Sequence, residues 1–274
     1  MNSLNTPKCL ENLQKVHPLV LVITNQVTIN ECANGLLAVG ASPVMTDDLN
    51  DARELAALAA ATVLNIGTIN ARRLDIMLAA GQAAKKLGRP VLMDPVGVGA
   101  TTIRRDAGCR LINEVAPDII RGNISEIKAL AGLTTDQRGV DSASADADSP
   151  EAIALVAEKL ALSARAVVAV TGEVDVVSNG RDTYFIEGGS PWMTQLTGTG
   201  CMLSAISGGY AAANPGDLTS AVVAALSHMA LAGEQSEKGV NGVKVLGSFR
   251  TLLFDRLGLI EPRDLLNFQG VKKQ

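Results

Sequence analysis

Gly198, Thr199, Gly200 and Cys201 stand together in TQLTGTGCMLSAISGGYAAA, residues 194–213. The small and apolar run behind the glycines reads as a helix, which puts these four residues at its mouth. The first amides of a helix have no intrahelical partner and share the positive end of its dipole. With no side chain at Gly198 or Gly200, an anion can approach that backbone closely. A thiol held there is expected to have a lowered pKa and to serve as a base or nucleophile near neutrality. The same stretch also reads as a tight turn followed by a small buried thiol. Taken alone it reads that way first, because free cysteine is among the most buried residue types.

Other candidates stand where apolar runs end in polar residues: Thr24-Asn25, Asp94-Pro95, Arg121 with Asn123 and Glu126, and Thr171-Gly172. Ligands of open α/β sheets bind outside the carboxyl ends of strands, so these positions converge on one rim. Together with the glycine-bounded helix mouth, the rim offers donors, a guanidinium, two carboxylates and a thiol. That set suits phosphoryl transfer, where catalysis is mostly positioning and charge stabilisation, with Mg2+ bridging phosphates and carboxylates. Each residue also has an ordinary reading. Asn25 can be a turn residue, Asn30 reads as a helix cap, Arg121 as a surface arginine, Asp94 as a turn former before Pro95, and Glu126 as a first-turn carboxylate on its helix dipole. Hydride transfer fits less well: GVGATT lacks the last glycine of a dinucleotide fingerprint and follows a late strand, and no Gly-Lys pair exists for a phosphate-binding loop of the Walker type.

The elements that must hold this rim are legible as alternating strands and helices. Short continuous apolar runs predict buried strands over 19–23, 43–46, 62–66, 90–93, 118–120 and 166–170. Helices are expected over 31–39, 49–61, 71–87, 102–115, from about 126, 150–162, 218–237 and 248–257. Residues 174–177 and 183–186, around SNGRD, read as an antiparallel hairpin on the sheet edge. Residues 134–150, rich in Asp, Ser and Ala, read as a surface loop. The repeated order of strand, helix and strand gives an α/β fold with a mainly parallel central sheet, expected as one domain over 1–274.

Composition narrows the partners. Hydrophobic residues make up 47% and aromatics only 3%, which suits small side chains packed between helices and a buried sheet. A formal net charge of −4 argues against binding nucleic acid or an anionic membrane. Four scattered cysteines and two histidines offer no zinc spacing and little support for a Cys-His or Ser-His hydrolase. No apolar run reaches the roughly 18 to 20 residues that would span a bilayer, and no signal-peptide pattern opens the chain. A reducing, cytoplasmic setting is expected.

The ordered set TNQVTINECANGLLAVGASPVM, DPVGVGAT, RGNISEI, VTGEVD and LTGTGCMLSA resembles the hydroxyethylthiazole kinases, thiamine-salvage members of the ribokinase-like superfamily. The resemblance implies a three-layer α/β/α fold and ATP-dependent phosphorylation of the primary alcohol of 4-methyl-5-(2-hydroxyethyl)thiazole, with magnesium, in a homotrimer whose sites lie between subunits. It implies thiazole contacts from Met45 and the Gly198 backbone, with Asn25 beside them. Arg121 and Thr171 would meet ATP, and Asp94 and Glu126 would organise the metal. Without the resemblance, Met45 reads equally as a core methionine at a strand end. In such a trimer Asn25 and Met45 would complete a site whose glycine turn belongs to the neighbouring subunit. Cys201 matches the thiazole kinases, whereas sugar kinases of the wider superfamily carry aspartate there. It would sit beside the substrate hydroxyl and accept its proton late, while the amides of Gly198, Thr199, Gly200 and Cys201 stabilise the transferring phosphoryl group. The rivals are a hydroxymethylpyrimidine or sugar kinase of the same fold, an ATP-dependent dehydratase of hydrated nicotinamide nucleotides, and a non-catalytic nucleotide or thiazole binder. The thiol argues against the first two, and the intact Asp94, Glu126 and Cys201 against the third.

Overall fold

The structure, a computed structural model, describes residues 4–134, 149–241 and 243–274. The elements run α1 (Thr6–Val16), β1 (Leu19–Ile23), α2 (Ile29–Ala38), β2 (Ser42–Val44), α3 (Leu49–Leu58), β3 (Ala61–Asn65), α4 (Ala71–Lys86), β4 (Val91–Asp94), α5 (Thr102–Val115), β5 (Ile119–Asn123) and α6 (Ile124–Thr134). They continue with α7 (Pro150–Ala164), β6 (Val167–Thr171), β7 (Val174–Ser178), β8 (Thr183–Glu187), a 3-10 turn at Pro191–Gln195, α8 (Thr199–Ala213), α9 (Leu218–Gly239), α10 (Leu246–Leu259), α11 (Pro262–Asn267) and β9 (Val271–Lys273). The surface loop expected over 134–150 lies outside the described residues apart from its ends.

Among the described residues one nine-stranded sheet has the order β2-β1-β3-β4-β5-β6-β7-β8-β9. The pairings from β2 to β6 are parallel, and β6 to β9 are antiparallel. Alternation along each strand sorts the core into two layers. Val20, Val22, Val63 and Leu92 join a cluster with residues of α1, α2, α8, α9 and α10. Leu21, Ile23, Leu64 and Met93 join the opposite cluster, with residues of α3 to α7. The result is helix, sheet, helix, as strands buried on both faces require.

This alternation sets the site. Ile23, Leu64, Met93, Ile120 and Val170 all face the α3–α7 layer, so the residues that follow them, Thr24, Asn65, Asp94, Arg121 and Thr171, turn to the α8 face. Strand order reverses direction at β1, which is flanked by β2 and β3, and a crevice opens at the carboxyl ends on either side of such a switch.

Several expectations need correcting. The β7–β8 hairpin is not the edge, because β9 pairs with β8; VKK is too short and too charged to show a strand pattern. The segment before Gly198 contains a 3-10 turn. Helix α2 starts at Ile29 with Thr28 as its cap. Asn30 therefore lies within the first turn, where its Oδ1 accepts from Asn34 Nδ2 at 2.9 Å. Strand β5 runs on to Asn123 rather than stopping at 120.

Candidate active site

Helix α8 begins as the glycines require. Gly198, with φ +91°, is its N-cap, in the left-handed region that disfavours a side chain. The first bond of the helical ladder runs from Met202 N to Gly198 O at 2.8 Å, so the amides of Thr199, Gly200 and Cys201 stand ahead of it. A Cβ on Gly200 would lie 2.8 Å from Arg121 Nη1, so glycine is what lets the guanidinium approach the helix mouth. Thr199 offers only its amide, since its hydroxyl donates back to Met193 O and Leu196 O at 3.0 and 3.3 Å.

Arg121 is buried, not the surface residue its type suggests, and its Nη2 donates to Thr171 Oγ1 at 2.5 Å. Its Nε has no hydrogen-bond partner. Asp175 on β7, which sequence reasoning passed over, stands near this pair. Burial pushes its carboxyl up to about 6, against the pull of the Gly172 amide and the Arg121 charge.

Asp94 ends β4 fully enclosed. Its Oδ2 accepts from Asn65 Nδ2 at 2.6 Å and Ser204 Oγ at 2.8 Å, while its Oδ1 is buried without a partner. Burial raises its carboxyl to about 6, opposed by the Arg121 charge and reinforced by Glu126. Glu126 has a structural duty too. Its Oε2 accepts from Asn123 N and Asn123 Oδ1 accepts from Glu126 N, at 2.8 and 2.9 Å, a reciprocal cap at the start of α6. Its Oε1 accepts from Gly97 N at 2.8 Å, tying the loop after β4 to that cap. The first-turn reading of Glu126 thus holds, with a bridge to the DPVG loop added. Among the described residues, no three His, Cys, Asp or Glu side chains gather as a metal site.

Cys201 is half-buried, and its Sγ receives Asn25 Nδ2 at 3.3 Å and Asn65 Nδ2 at 3.2 Å. The expected lowering of its pKa is reversed. Burial first, then the Asp94 charge, push the thiol above its ordinary value, and hydrogen bonds from Thr28, Asn65 and Asn25 offset that only in part. Desolvation beside an anion outweighs the helix terminus. Asn25 and Cys201 meet within one chain, which corrects the expectation that Asn25 completes a neighbour's glycine turn. Met45 is half-buried after β2 and packs on the same apolar cluster as Cys201 and Leu196.

Sequence reasoning missed Asn65 and Ser204. Asn65 is the one amide in ATVLNIG, inside a run that otherwise reads as core, and that is the signal that could have found it. Ser204 lies one turn after Thr199 and Gly200 in a helix of small residues, where a serine attracts no notice.

A sequence profile of the hydroxyethylthiazole kinase family matches residues 10–262. The chain belongs to that family. The hydroxyethylthiazole kinase of Alkaliphilus oremlandii is 40% identical over 257 residues, covering 93% of each chain. The solved structure of the hydroxyethylthiazole kinase protein from Pyrococcus horikoshii OT3 superposes with a TM-score of 0.87 at 33% identity, covering 98% of both chains. A ribokinase-like superfamily protein from Enterococcus faecalis, 14% identical, superposes with a TM-score of 0.60 over 94% of this chain and 89% of that one, a likeness of fold alone. The family expectation and the ribokinase-like α/β fold are therefore both borne out, and membership makes the chain a phosphotransferase. No helix among the described residues is long and apolar enough to cross a membrane.

Proposed function

We propose that the chain transfers the γ-phosphoryl group of ATP to the primary alcohol of 4-methyl-5-(2-hydroxyethyl)thiazole in thiamine salvage. The observation that carries this reading is the convergence, on one helix mouth, of unladdered amides, the buried Arg121 guanidinium and the Asn25–Asn65–Asp94–Cys201 network. The thiazole lies beside Met45, Asn25 and the Gly198 backbone, with its hydroxyl toward Cys201. A polarisable thioether is a suitable neighbour for a flat sulfur heterocycle. Arg121 and Thr171 hold ATP phosphate, the planar guanidinium matching oxyanions. The amides of Gly198, Thr199, Gly200 and Cys201 form the anion hole for the group in transit.

The residues fit magnesium. Asp94 Oδ1 is a buried carboxylate oxygen with no partner, and two carboxylates are what an ion completing its shell with phosphate and water needs. Asp94 would hold it directly and Glu126, whose oxygens already take amides, through water. Bound there, the ion neutralises charge on the phosphates.

Cys201 accepts the hydroxyl proton late, and it can do so only as the thiolate, its own proton having passed to solvent beforehand. Burial and the Asp94 charge make that thiolate scarce in the resting site, so early deprotonation of the alcohol is not its role; in a loose transition state none is required. We further propose a homotrimer in the cytoplasm. Exposed Val27 and Ile29 at the start of α2, exposed Leu37 near its other end, and a groove lined by Asn34, Leu37, Arg250 and Phe254 support subunit packing along α2. Four free thiols support a reducing compartment.

The substrate is tested by following ADP release with magnesium ATP and a panel of hydroxyethylthiazole, hydroxymethylpyrimidine and ribose. Turnover confined to the thiazole is the expected result, and equal turnover of another alcohol would overturn it.

A further inference from the structure

Two side-chain amides surround Cys201, and the backbone fixes which way each of them points. Gly67 N donates to Asn65 Oδ1 at 2.9 Å. Val27 N and Thr28 N both donate to Asn25 Oδ1 at 3.1 Å. An amide N–H can only donate, so the atoms it reaches are oxygens and both NH2 groups must face the other way. The chain of donors then has one direction. Asn25 Nδ2 gives one hydrogen to Asn65 Oδ1 at 3.0 Å and one to Cys201 Sγ; Asn65 Nδ2 gives one to Asp94 Oδ2 and one to the same sulfur. Asn65 and Asp94 are also direct partners in the β3–β4 ladder, so the backbone register sets their separation. Gly67 belongs to this device: a Cβ there would come within 2.6 Å of the Asn25 side chain.

We propose that Asn65 is a positioning residue of the reaction, whose backbone-locked amide ties Cys201 Sγ to Asp94 Oδ2. The sulfur then faces the amides only as an acceptor, and Asp94 turns its other oxygen, Oδ1, toward the ligand. Asn65 is buried at 1% exposure and acts through Cys201 and Asp94, so the inference rests on the roles given to those two residues above.

Asn65→Asp is the sharpest variant. It keeps an oxygen for Gly67 N and Asn25, yet replaces both donors with an acceptor beside a carboxylate and a sulfur. In a Cys109→Ser background, which removes the other thiol that is not buried, the pH profile of iodoacetamide alkylation reads Cys201 directly. The titratable groups facing that thiol are Asp94 on β4 and Cys32 on α2. The midpoint is expected to move up by about one pH unit or more. Steady-state kcat with magnesium ATP and the thiazole is expected to fall at least about tenfold, with KM for ATP within about twofold. If Asn65→Asp does not fold, Asn65→Ala, which removes the donors without adding charge, is expected to move both readouts in the same direction. A folded variant whose midpoint and kcat both match the parent overturns the inference. Cys201→Ala separates the layers. If it is impaired while Asn65→Asp is not, only this inference fails; if it keeps full kcat, the proposed role of the thiol fails as well.

Discussion

Helix α8 carries a buried polar network at each end, and the two are built on opposite rules. Toward its C-terminal end Tyr210 Oη donates to His228 Nδ1 at 2.6 Å, and His228 Nε2 donates to Leu257 O at 2.9 Å. Asn214 Nδ2 donates to Tyr210 O and Cys9 O, and its Oδ1 accepts from Asn12 at 2.7 Å. These groups are neutral and partnered, and burial lowers His228 to about 4, which keeps it uncharged. At the N-terminal end Asp94 and Arg121 are buried, charged groups, each with one atom left without a partner. A satisfied neutral network specifies a core; an incomplete charged one, drawn close where glycines leave room, is what the proposed site is made of.

The most severe way to break this contrast is Asp94→Asn. The amide oxygen can still accept from Asn65 and Ser204, but the charge is gone. Steady-state assays should show kcat/KM reduced at least about a hundredfold. Stability should move the other way. Asp94 has a folded pKa raised to about 6, so above that pH the fold bears the cost of a buried charge, and below the ordinary carboxylate range it does not. Denaturant titration at pH 8 should therefore find Asp94→Asn more stable by about 2 kcal/mol. A variant both inactive and destabilised would mean that Asp94 is a structural residue after all.

Arg121→Lys comes next. Lysine keeps the charge but loses the planar fork, and kcat/KM should fall by about tenfold or more while the melting temperature stays close to wild type. Tyr210→Phe should produce the mirror image. It leaves His228 Nδ1 buried without its donor, costing about 1–3 kcal/mol in chemical denaturation, with kcat within about twofold. A large loss of kcat in Tyr210→Phe would erase the distinction between the two ends.

Acid gives the smallest and most symmetrical test. The His228 contribution to stability is fully present above its ordinary pKa, about 6.5, and drains away as pH falls toward its folded value of about 4. Over nearly the same window Asp94 becomes protonated, relieving its own penalty while removing the charge that its proposed role requires. Activity should thus decline with pH below about 6 before unfolding begins, and replacing His228 with Gln, which cannot take up the proton, should flatten the acid side of the stability curve without moving the activity limb.

Most of the fold was readable because buried strands and amphipathic helices leave strong periodic signals, as in residues 19–23 and 102–115. Strand β9 and helix α11 were not, since three and six residues are too few for a pattern. The rim was legible wherever a polar residue ended an apolar run, as with Asp94 and Thr171. Asn65 escaped because the apolar run resumes after it at Ile66, so that it reads as part of the core. The state of Cys201 is not legible in the sequence for a different reason. A helix mouth is visible in a sequence, but the desolvation and the neighbouring Asp94 that raise the thiol are properties of the folded interior.

The central claim, that chemistry happens at the incomplete end of α8 with the thiol beside the reacting hydroxyl, is tested most directly by kcat for Cys201→Ala and Cys201→Asp with saturating magnesium ATP and hydroxyethylthiazole. The expected result is a loss of about a hundredfold for alanine, with aspartate, another acceptor, keeping most of the activity. An alanine variant that turns over at the wild-type rate would contradict it.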